Sequence, residues 1–375
     1  MRIAVVGATG RIGTQLSRTL LNAGHGVKAL SRGGPALDAL AKLGAKPFLG
    51  SFDTDVGELD KFFQDADAAF LMVKTDWNNL HGHYPVVAQR FVDALRNSPV
   101  RLAVILTAIG ADVQGATGHF ASFYHLEQVL NQLDHLHQVR LRAGYFMENL
   151  LAWTGAVARH GQIGWSFKPN VKISWVATQD IADLAARELT HPTGERRVIR
   201  EAGSEDFTMP EVAAVISREI GRSVEYRFVD SKRKDVEAEF LQRFGTPERW
   251  LDHCQTADAL HDRVVRFHGY RAALPTTMEA FIRDVWKPRY LHALAGGNEP
   301  ETFQVWSSKG VFGETGPAAP RDTAWHSERQ SSRYPLNLTN VATRAYALVH
   351  DEAEHKALSD AGYEPKYEPA GDRTA

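Results

Sequence analysis

Residues 2–13 read Arg2-Ile3-Ala4-Val5-Val6-Gly7-Ala8-Thr9-Gly10-Arg11-Ile12-Gly13. A short β-branched run stops at a glycine cluster, after which the apolar residues fall at Ile12, Leu16 and Leu20, the helical spacing. The stretch reads as strand, tight turn and helix within a first βαβ unit. Its three glycines have separate tasks. Gly7 permits the tight turn, Gly10 lets a pyrophosphate approach backbone that carries no Cβ, and Gly13 lets the helix pack closely on the sheet. The orphan amides at the helix start, at the positive end of its dipole, then face the phosphates. The bland alternative is a glycine turn that binds nothing, and the strand-turn-helix context argues against it.

Outward from this turn the alternation continues. Strands are expected at 27–30, 46–49, 68–73, 102–107 and 139–141, with a helix at 36–43. Short, continuously apolar strands separated by helices predict a doubly wound parallel α/β sheet, a Rossmann fold, with six strands complete by about residue 142. Beyond Asn149 the pattern loosens into a smaller α/β region with a strand at 171–177 and a helix at 180–189. Thr208, Pro210 and Glu211 there make a helix start before Val212, Val215 and Ile216. Glycines and prolines cluster from Gly296 to Pro320, which reads as linker. The expected organisation is a dinucleotide-binding domain at 1–150, a smaller substrate domain at 151–294, and a C-terminal extension at 295–375 with one helix at 340–361.

With 43% apolar and 23% charged residues, the 375-residue chain can bury a substantial core. Lys and Arg total 43 against 45 Asp and Glu, so no net charge draws it to nucleic acid or an anionic membrane. A single cysteine, Cys254, excludes an intrachain disulfide framework and a multi-cysteine zinc site. No apolar run reaches the roughly 18 residues of a membrane span, and the opening is too short for a signal-peptide core. These features together predict a cytoplasmic protein.

The end of the second strand carries the cofactor preference. A site for NAD(H) usually has Asp or Glu about 20 residues past the glycine motif, accepting from the ribose hydroxyls. Ser31 and Arg32 stand there instead. A guanidinium binds a 2′-phosphate bidentately and stacks on adenine, and Arg11 in the turn reaches the same place. NADP(H) is therefore expected over NAD(H); the alternative is that Arg32 is an ordinary solvated arginine.

The glycine turn, Ser31-Arg32, Leu141-Arg142-Ala143-Gly144-Tyr145-Phe146-Met147-Glu148-Asn149, Ser174-Trp175-Val176-Ala177-Thr178-Gln179-Asp180-Ile181-Ala182 and Met209-Pro210-Glu211-Val212-Ala213 together resemble the NmrA-like, atypical short-chain dehydrogenase/reductase family. The resemblance covers roughly residues 1–290. It implies a Rossmann domain with a small substrate domain, and either NADPH-dependent reduction of small organic molecules or cofactor-sensing regulation. The cofactor-binding set it implies is Gly7, Thr9, Gly10, Arg11, Ile12, Gly13, Ser31, Arg32, Ser51, Val73, Gly144 and Phe146. Gly144 would let the chain pass close to the cofactor, and Phe146 to Asn149 would wall its nicotinamide end, or else pack the core with Asn149 as a helix cap. Where relatives often have an acidic residue near adenine, this chain has Gly50-Ser51-Phe52. Thr107 matches a hydroxyl position used near the substrate carbonyl.

The catalytic set is less regular. Tyr-x-x-x-Lys places a proton donor and a cation on one helix face, and here Tyr124 is followed four residues later by Gln128, which brings no charge to favour the phenolate. Relatives carry Lys or His one turn before the glutamate of this helix, but four residues before Glu127 stands Phe123. Candidate acids are Tyr124 and His125, each set against an ordinary helix-surface side chain. His81/His83 and His135/His137 have the spacing of a metal pair on an extended strand, but no further ligands complete a site, so no metal is expected. Trp77, in the loop 74–84 after the fourth strand, lines a substrate pocket or packs under the loop. Trp165, Phe167 and Trp175 suit either an apolar substrate or ordinary core.

The expected function is NADPH-dependent reduction of a small apolar carbonyl, quinone or enone, acceptors for which positioning beside the cofactor supplies much of the rate. The alternative is a non-catalytic NADP(H) sensor acting through a protein partner. In a third reading, a binding protein assembles through residues 295–375. Small-molecule substrates or a regulatory partner, and neither nucleic acid nor membrane, are the ligands expected.

Overall fold

The structure, a computed structural model, describes residues 1–52, 56–76, 79–244, 246–262, 272 and 274–295. Trp77 and the expected helix at 340–361 lie outside the described residues. The first part of the chain alternates without exception: β1 (Arg2–Val5), α1 (Arg11–Asn22), β2 (Gly26–Ser31), α2 (Pro35–Lys42), β3 (Lys46–Leu49), α3 (Val56–Phe63) and β4 (Ala68–Leu71). Then come α4 (Leu80–Arg96), β5 (Leu102–Ala108), α5 (His119–Leu130) and β6 (His137–Ala143). The short β7 (Tyr145–Phe146) leads into a 3-10 helix at Met147–Trp153, then α6 (Thr154–His160), β8 (Gln162–Trp165), β9 (Ile173–Val176) and α7 (Thr178–Thr190). The chain continues through β10 (Arg197–Ala202), β11 (Glu205–Phe207), α8 (Met209–Ile220), β12 (Glu225–Phe228), α9 (Lys234–Phe244) and α10 (Pro247–His261). It ends with α11 (Met278–Phe281), a π-helical turn, and α12 (Lys287–Leu294).

Among the described residues seven parallel strands form the main sheet, in the order β10-β6-β5-β4-β1-β2-β3. β1 lies between β2 and β4 with Ile3 opposite both Val27 and Ala68, so the strand order reverses at β1 and opens the crevice in which sheets of this kind take ligands. The strands beside that crevice are apolar on both faces: all four residues of β4 are buried, as are six of the seven in β5. One face is covered by α1 and α7 through Leu16, Leu20, Ile181 and Ala185. The other is covered by α3, α4 and α5 through Phe62, Val87, Phe91, Leu126 and Leu130. β3 is the exposed edge, and it tolerates Pro47 there.

The six expected strands are present, and a seventh, β10, joins them from sequence beyond residue 150. Its Val198 and Ala202 face α7 in the core, while Arg197 and Ile199 are exposed. The smaller sheets, β11-β9-β7 and β12-β8, pack with α6, α8 and α12 around Trp153, Trp175, Met209 and Trp286. Thr208 caps α8 as the sequence predicts, with Glu211 N donating to its hydroxyl at 3.3 Å and its own N donating to Glu211 Oε2 at 2.7 Å. The segment before α11 is tied back to both layers. Thr276 donates through N and Oγ1 to the buried Asp180 at 3.1 and 2.7 Å, and Met278 N donates to Glu205 at 2.7 Å.

Candidate functional site

The glycine turn follows from backbone packing. Gly7 holds φ at +69°, and a Cβ there would stand 2.6 Å from Met72 Sδ at the end of β4, so only glycine meets both demands. A Cβ on Gly13 would lie 2.1 Å from the Gly7 carbonyl oxygen; helix and turn touch through backbone alone. Gly10 differs. A Cβ there would meet only the Gly7 oxygen, at 3.2 Å, and the residue is exposed, so its outer side is open. Gly10 is also the N-cap of α1, with no side-chain cap and no acidic residue in the first turn. The amides of Arg11, Ile12 and Gly13 are thus left for an external acceptor. This cradle fits an anionic diphosphate, and a side chain at residue 10 would fill it.

At the end of β2 the buried Ser31 hydroxyl shares a 3.0 Å hydrogen bond with Thr9 Oγ1 and accepts from Gly33 N at 3.3 Å. Arg32 is exposed beside them, as is Arg11 in the turn. Residues 31–34 are Ser-Arg-Gly-Gly, so the turn that follows β2 offers a guanidinium and no carboxylate of its own. Gly50 N donates to Ser31 O at 3.0 Å, which brings Ser51 to the same end. The Val73 side chain is buried under α4 with Tyr84, so only its backbone faces the sheet edge.

The other expected positions divide. Gly144 makes its close approach to β9: a Cβ there would lie 2.4 Å from Ser174 O. Crowding by strand backbone by itself requires a glycine there. Phe146 is partly buried against the α1/α7 core. Asn149 lies inside the 3-10 helix, whose N-cap position is Phe146, so the expected cap falls three residues too late. Thr107 is 2% exposed and donates to Glu127 Oε1 at 2.9 Å; its proton is engaged inward. Glu127, 1% exposed, also takes Arg140 Nη1 at 3.0 Å and Arg142 Nη2 at 2.7 Å, and Arg142 reaches Asp112 at 3.3 Å. The glutamate of this helix is the centre of a buried ion network that fixes α5 on β5 and β6.

Tyr124 is half-buried and burial raises its pKa, while His125 is exposed on α5, its pKa lowered by partial desolvation. Gln128 is exposed as well. His81 and His83 lie in the first turns of α4 and not on a strand, so side chains two apart point away from each other. Among the described residues no group of three or more His, Cys, Asp or Glu could hold a metal ion. Trp175 and Phe167 are buried in the smaller layer's core and Trp165 packs against it, which resolves the aromatic cluster as interior packing.

Sequence reasoning missed a polar cluster at the carboxyl end of β4. Thr75 Oγ1, Tyr84 OH and His119 Nε2 lie mutually within hydrogen-bond reach: Thr75–Tyr84 and Thr75–His119 at 3.2 Å, Tyr84–His119 at 3.0 Å. Burial pushes the Tyr84 phenol up and pulls the His119 imidazole down to about 4, so the imidazole is neutral at pH 7. The backbone of His119 is fixed by α10. Gly118 N donates to Gln255 Oε1 at 3.0 Å and His119 N to Thr256 Oγ1 at 3.2 Å. The ring stacks on Phe123 with centroids 4.9 Å apart. The available signal was a histidine one helical turn before Phe123 and two before Glu127, hence on the same face. No helix among the described residues is long and apolar enough to cross a membrane.

Comparison with known proteins agrees with this geometry. A family model described as the NmrA-like family matches residues 1–282. An NAD(P)H azoreductase of Xenophilus azovorans is 26% identical over 250 residues, covering 67% of this chain and 84% of the relative. Quinone oxidoreductase 2 of Escherichia coli (strain K12) is 23% identical over 261 residues, covering 68% and 86%. Its crystal structure with NADPH aligns at TM-score 0.58 and 20% identity, over 79% of this chain and 95% of that one. NmrA, a negative transcriptional regulator crystallised with NADP, aligns at TM-score 0.57 and 20% identity, over 80% and 98%. With a model match over three quarters of its length and a seven-stranded Rossmann sheet behind a glycine turn, the chain belongs to the NmrA-like family.

Proposed function

We propose that the protein is an NADP(H)-dependent reductase of small apolar acceptors: carbonyls, quinones, enones and, by likeness to the azoreductase, azo compounds. The observation that carries this reading is the uncapped start of α1 behind an open Gly10, with Arg32 exposed in a Ser-Arg-Gly-Gly turn at the neighbouring end of β2. In it the turn from Gly7 to Gly13 holds the pyrophosphate through the amides of Arg11, Ile12 and Gly13, with Thr9 beside them. Ser31, Arg32 and Arg11 take the 2′-phosphate, and Ser51 lies toward the adenine. The backbone at Val73 and the ring of Phe146 border the nicotinamide end. When bound, the cofactor supplies hydride. Turnover then depends on the chain holding the acceptor against that end and excluding water. The relatives named azoreductase and quinone oxidoreductase support the redox class.

A second reading is a non-catalytic NADP(H) sensor that acts through a protein partner. It is favoured by Gln128, exposed where the lysine of a Tyr-x-x-x-Lys pair would stand, and by the likeness to NmrA. Calorimetry with NADPH and NADH, followed by NADPH oxidation against quinones, enones, aldehydes and azo dyes, separates the two. Tight NADPH binding with turnover of a panel member supports the reductase. Binding without turnover supports the sensor, and binding of neither dinucleotide overturns both.

A further inference from the structure

Thr75, Tyr84 and His119 have no part in holding a dinucleotide, yet they place three exchangeable groups together at the sheet edge beside the glycine turn. Met72, whose side chain packs on Gly7, is only three residues before Thr75, about 10 Å of chain at most. Tyr84 is 1% exposed, whereas Thr75 and His119 are half-buried. Tyr84 is therefore the dry member of the cluster, with a partly exposed residue on either side of it. His119 also lies one turn before Phe123, the position at which a basic residue is missing, with its ring stacked on that phenylalanine.

We propose that Thr75, Tyr84 and His119 form a proton relay that serves acceptors whose reduced atom is strongly basic, carbonyls above all. This rests on the reductase reading. In the relay, neutral His119 carries its proton on Nε2 and donates to Tyr84, Tyr84 donates to Thr75, and the Thr75 hydroxyl points to the acceptor. For a carbonyl, hydride adds to carbon and the π pair moves to oxygen. That oxygen takes the Thr75 proton as Thr75 takes the Tyr84 proton. The phenolate is held by the His119 N–H until water returns a proton, so each turnover consumes one hydride and one proton. Burial keeps Tyr84 protonated across the neutral range, and an alkoxide is basic enough to take its proton where a hydroquinone anion is not. Thr75 touches the acceptor and is the catalytic residue; Tyr84 and His119 act through it.

The test compares 4-nitrobenzaldehyde, which needs hydride and proton, with crystal violet, a triarylmethyl cation that needs hydride alone. In Tyr84→Phe the ratio of kcat for the aldehyde to kcat for the dye is expected to fall at least tenfold, with the NADPH dissociation constant within twofold of wild type. Thr75→Val reproduces the loss and Thr75→Ser restores it, which keeps the test valid should Tyr84→Phe fold poorly. Independently of turnover, the imidazole 15N resonance of His119, assigned by its absence in His119→Gln, is expected to shift in Tyr84→Phe. Where wild type takes the aldehyde and not the dye, the same tenfold loss is read on kcat at unchanged NADPH affinity. An unchanged ratio, an unmoved resonance, or a wild type that reduces the dye and no aldehyde overturns the relay alone. A wild type that binds NADPH and reduces only a quinone, enone or azo dye likewise overturns the relay alone, whereas one that binds NADPH and reduces none of these acceptors overturns the reductase reading and the relay with it.

Discussion

The Gly7 carbonyl oxygen lies 2.1 Å from the point that a Cβ on Gly13 would occupy, whereas Gly10, three residues earlier, has only that same oxygen at 3.2 Å. Two glycines of one motif thus answer to different masters, fold and ligand. Gly13→Ala is expected to destabilise by about 1–3 kcal/mol or more, the usual cost of forcing atoms into a packed contact. Gly10→Val is expected to keep the wild-type melting temperature within a few degrees and lose dinucleotide binding. Thermal melts paired with calorimetry check both; Gly10→Val binding NADPH with unaltered affinity would remove the pyrophosphate from the turn.

Arg32 sits exposed beside the Thr9–Ser31 hydroxyl pair. Arg32→Glu replaces a bidentate donor by a like charge for a 2′-phosphate. Affinity for NADPH is expected to fall at least tenfold while NADH is held or gains. Equal losses for the two dinucleotides, measured by fluorescence titration, would place the 2′-phosphate elsewhere.

Removing Glu127 leaves Arg140 and Arg142 facing each other in the interior. Glu127→Ala is expected to cost about 3–5 kcal/mol, the penalty of uncompensated buried charge. Thr107→Val, which removes one neutral donor, is expected to cost about 1 kcal/mol. Urea denaturation gives both values, and a Glu127→Ala cost no larger than that of Thr107→Val would show that the two guanidiniums find other partners.

The pH dependence of stability has two opposed parts. Burial holds His81, His119 and His253 down to about 4. Between their unfolded value of about 6.5 and 4 the unfolded chain therefore binds protons that the folded one refuses, and stability falls as pH falls. Asp252, buried behind His119, is pushed up to about 7. The folded state holds its proton where the unfolded state does not, so this group withdraws stability as pH rises from about 4 to 7. Asp252→Asn is expected to raise stability at pH 8 by about 1–3 kcal/mol and to change it little at pH 4. Denaturation at both pH values tests this; a variant less stable at pH 8 would mean that the carboxylate is held ionised by Arg249.

The parts of the fold that were legible are those where one residue pattern has one explanation. Strand β3 is expected at 46–49 and found at Lys46–Leu49, and the interior strands β4 and β5 announce themselves as apolar runs because both their faces are covered. β10 escaped notice because it is an edge strand: Arg197, Arg200 and Glu201 interrupt the apolar run that its covered face requires. His81 and His83 read as alternating because Pro85 hides the start of a helix. The cofactor cradle could be read because its residues are contiguous. The cluster of Thr75, Tyr84 and His119 could not, since its members are 9, 35 and 44 residues apart and meet only when the loop after β4 closes on the start of α5.

The place of β10 bears on how the chain can be made and divided. During synthesis the ribosome must release residue 202 before the sheet has its last strand, and α7 before the face opposite α3, α4 and α5 is closed. A nascent chain paused after β6 presents an unpaired ladder of seven residues, open to pairing with a neighbour. A polypeptide split near residue 150 would therefore yield two halves that need each other: co-expressed, they should reassemble through the β6–β10 seam, and expressed singly the amino-terminal half should aggregate.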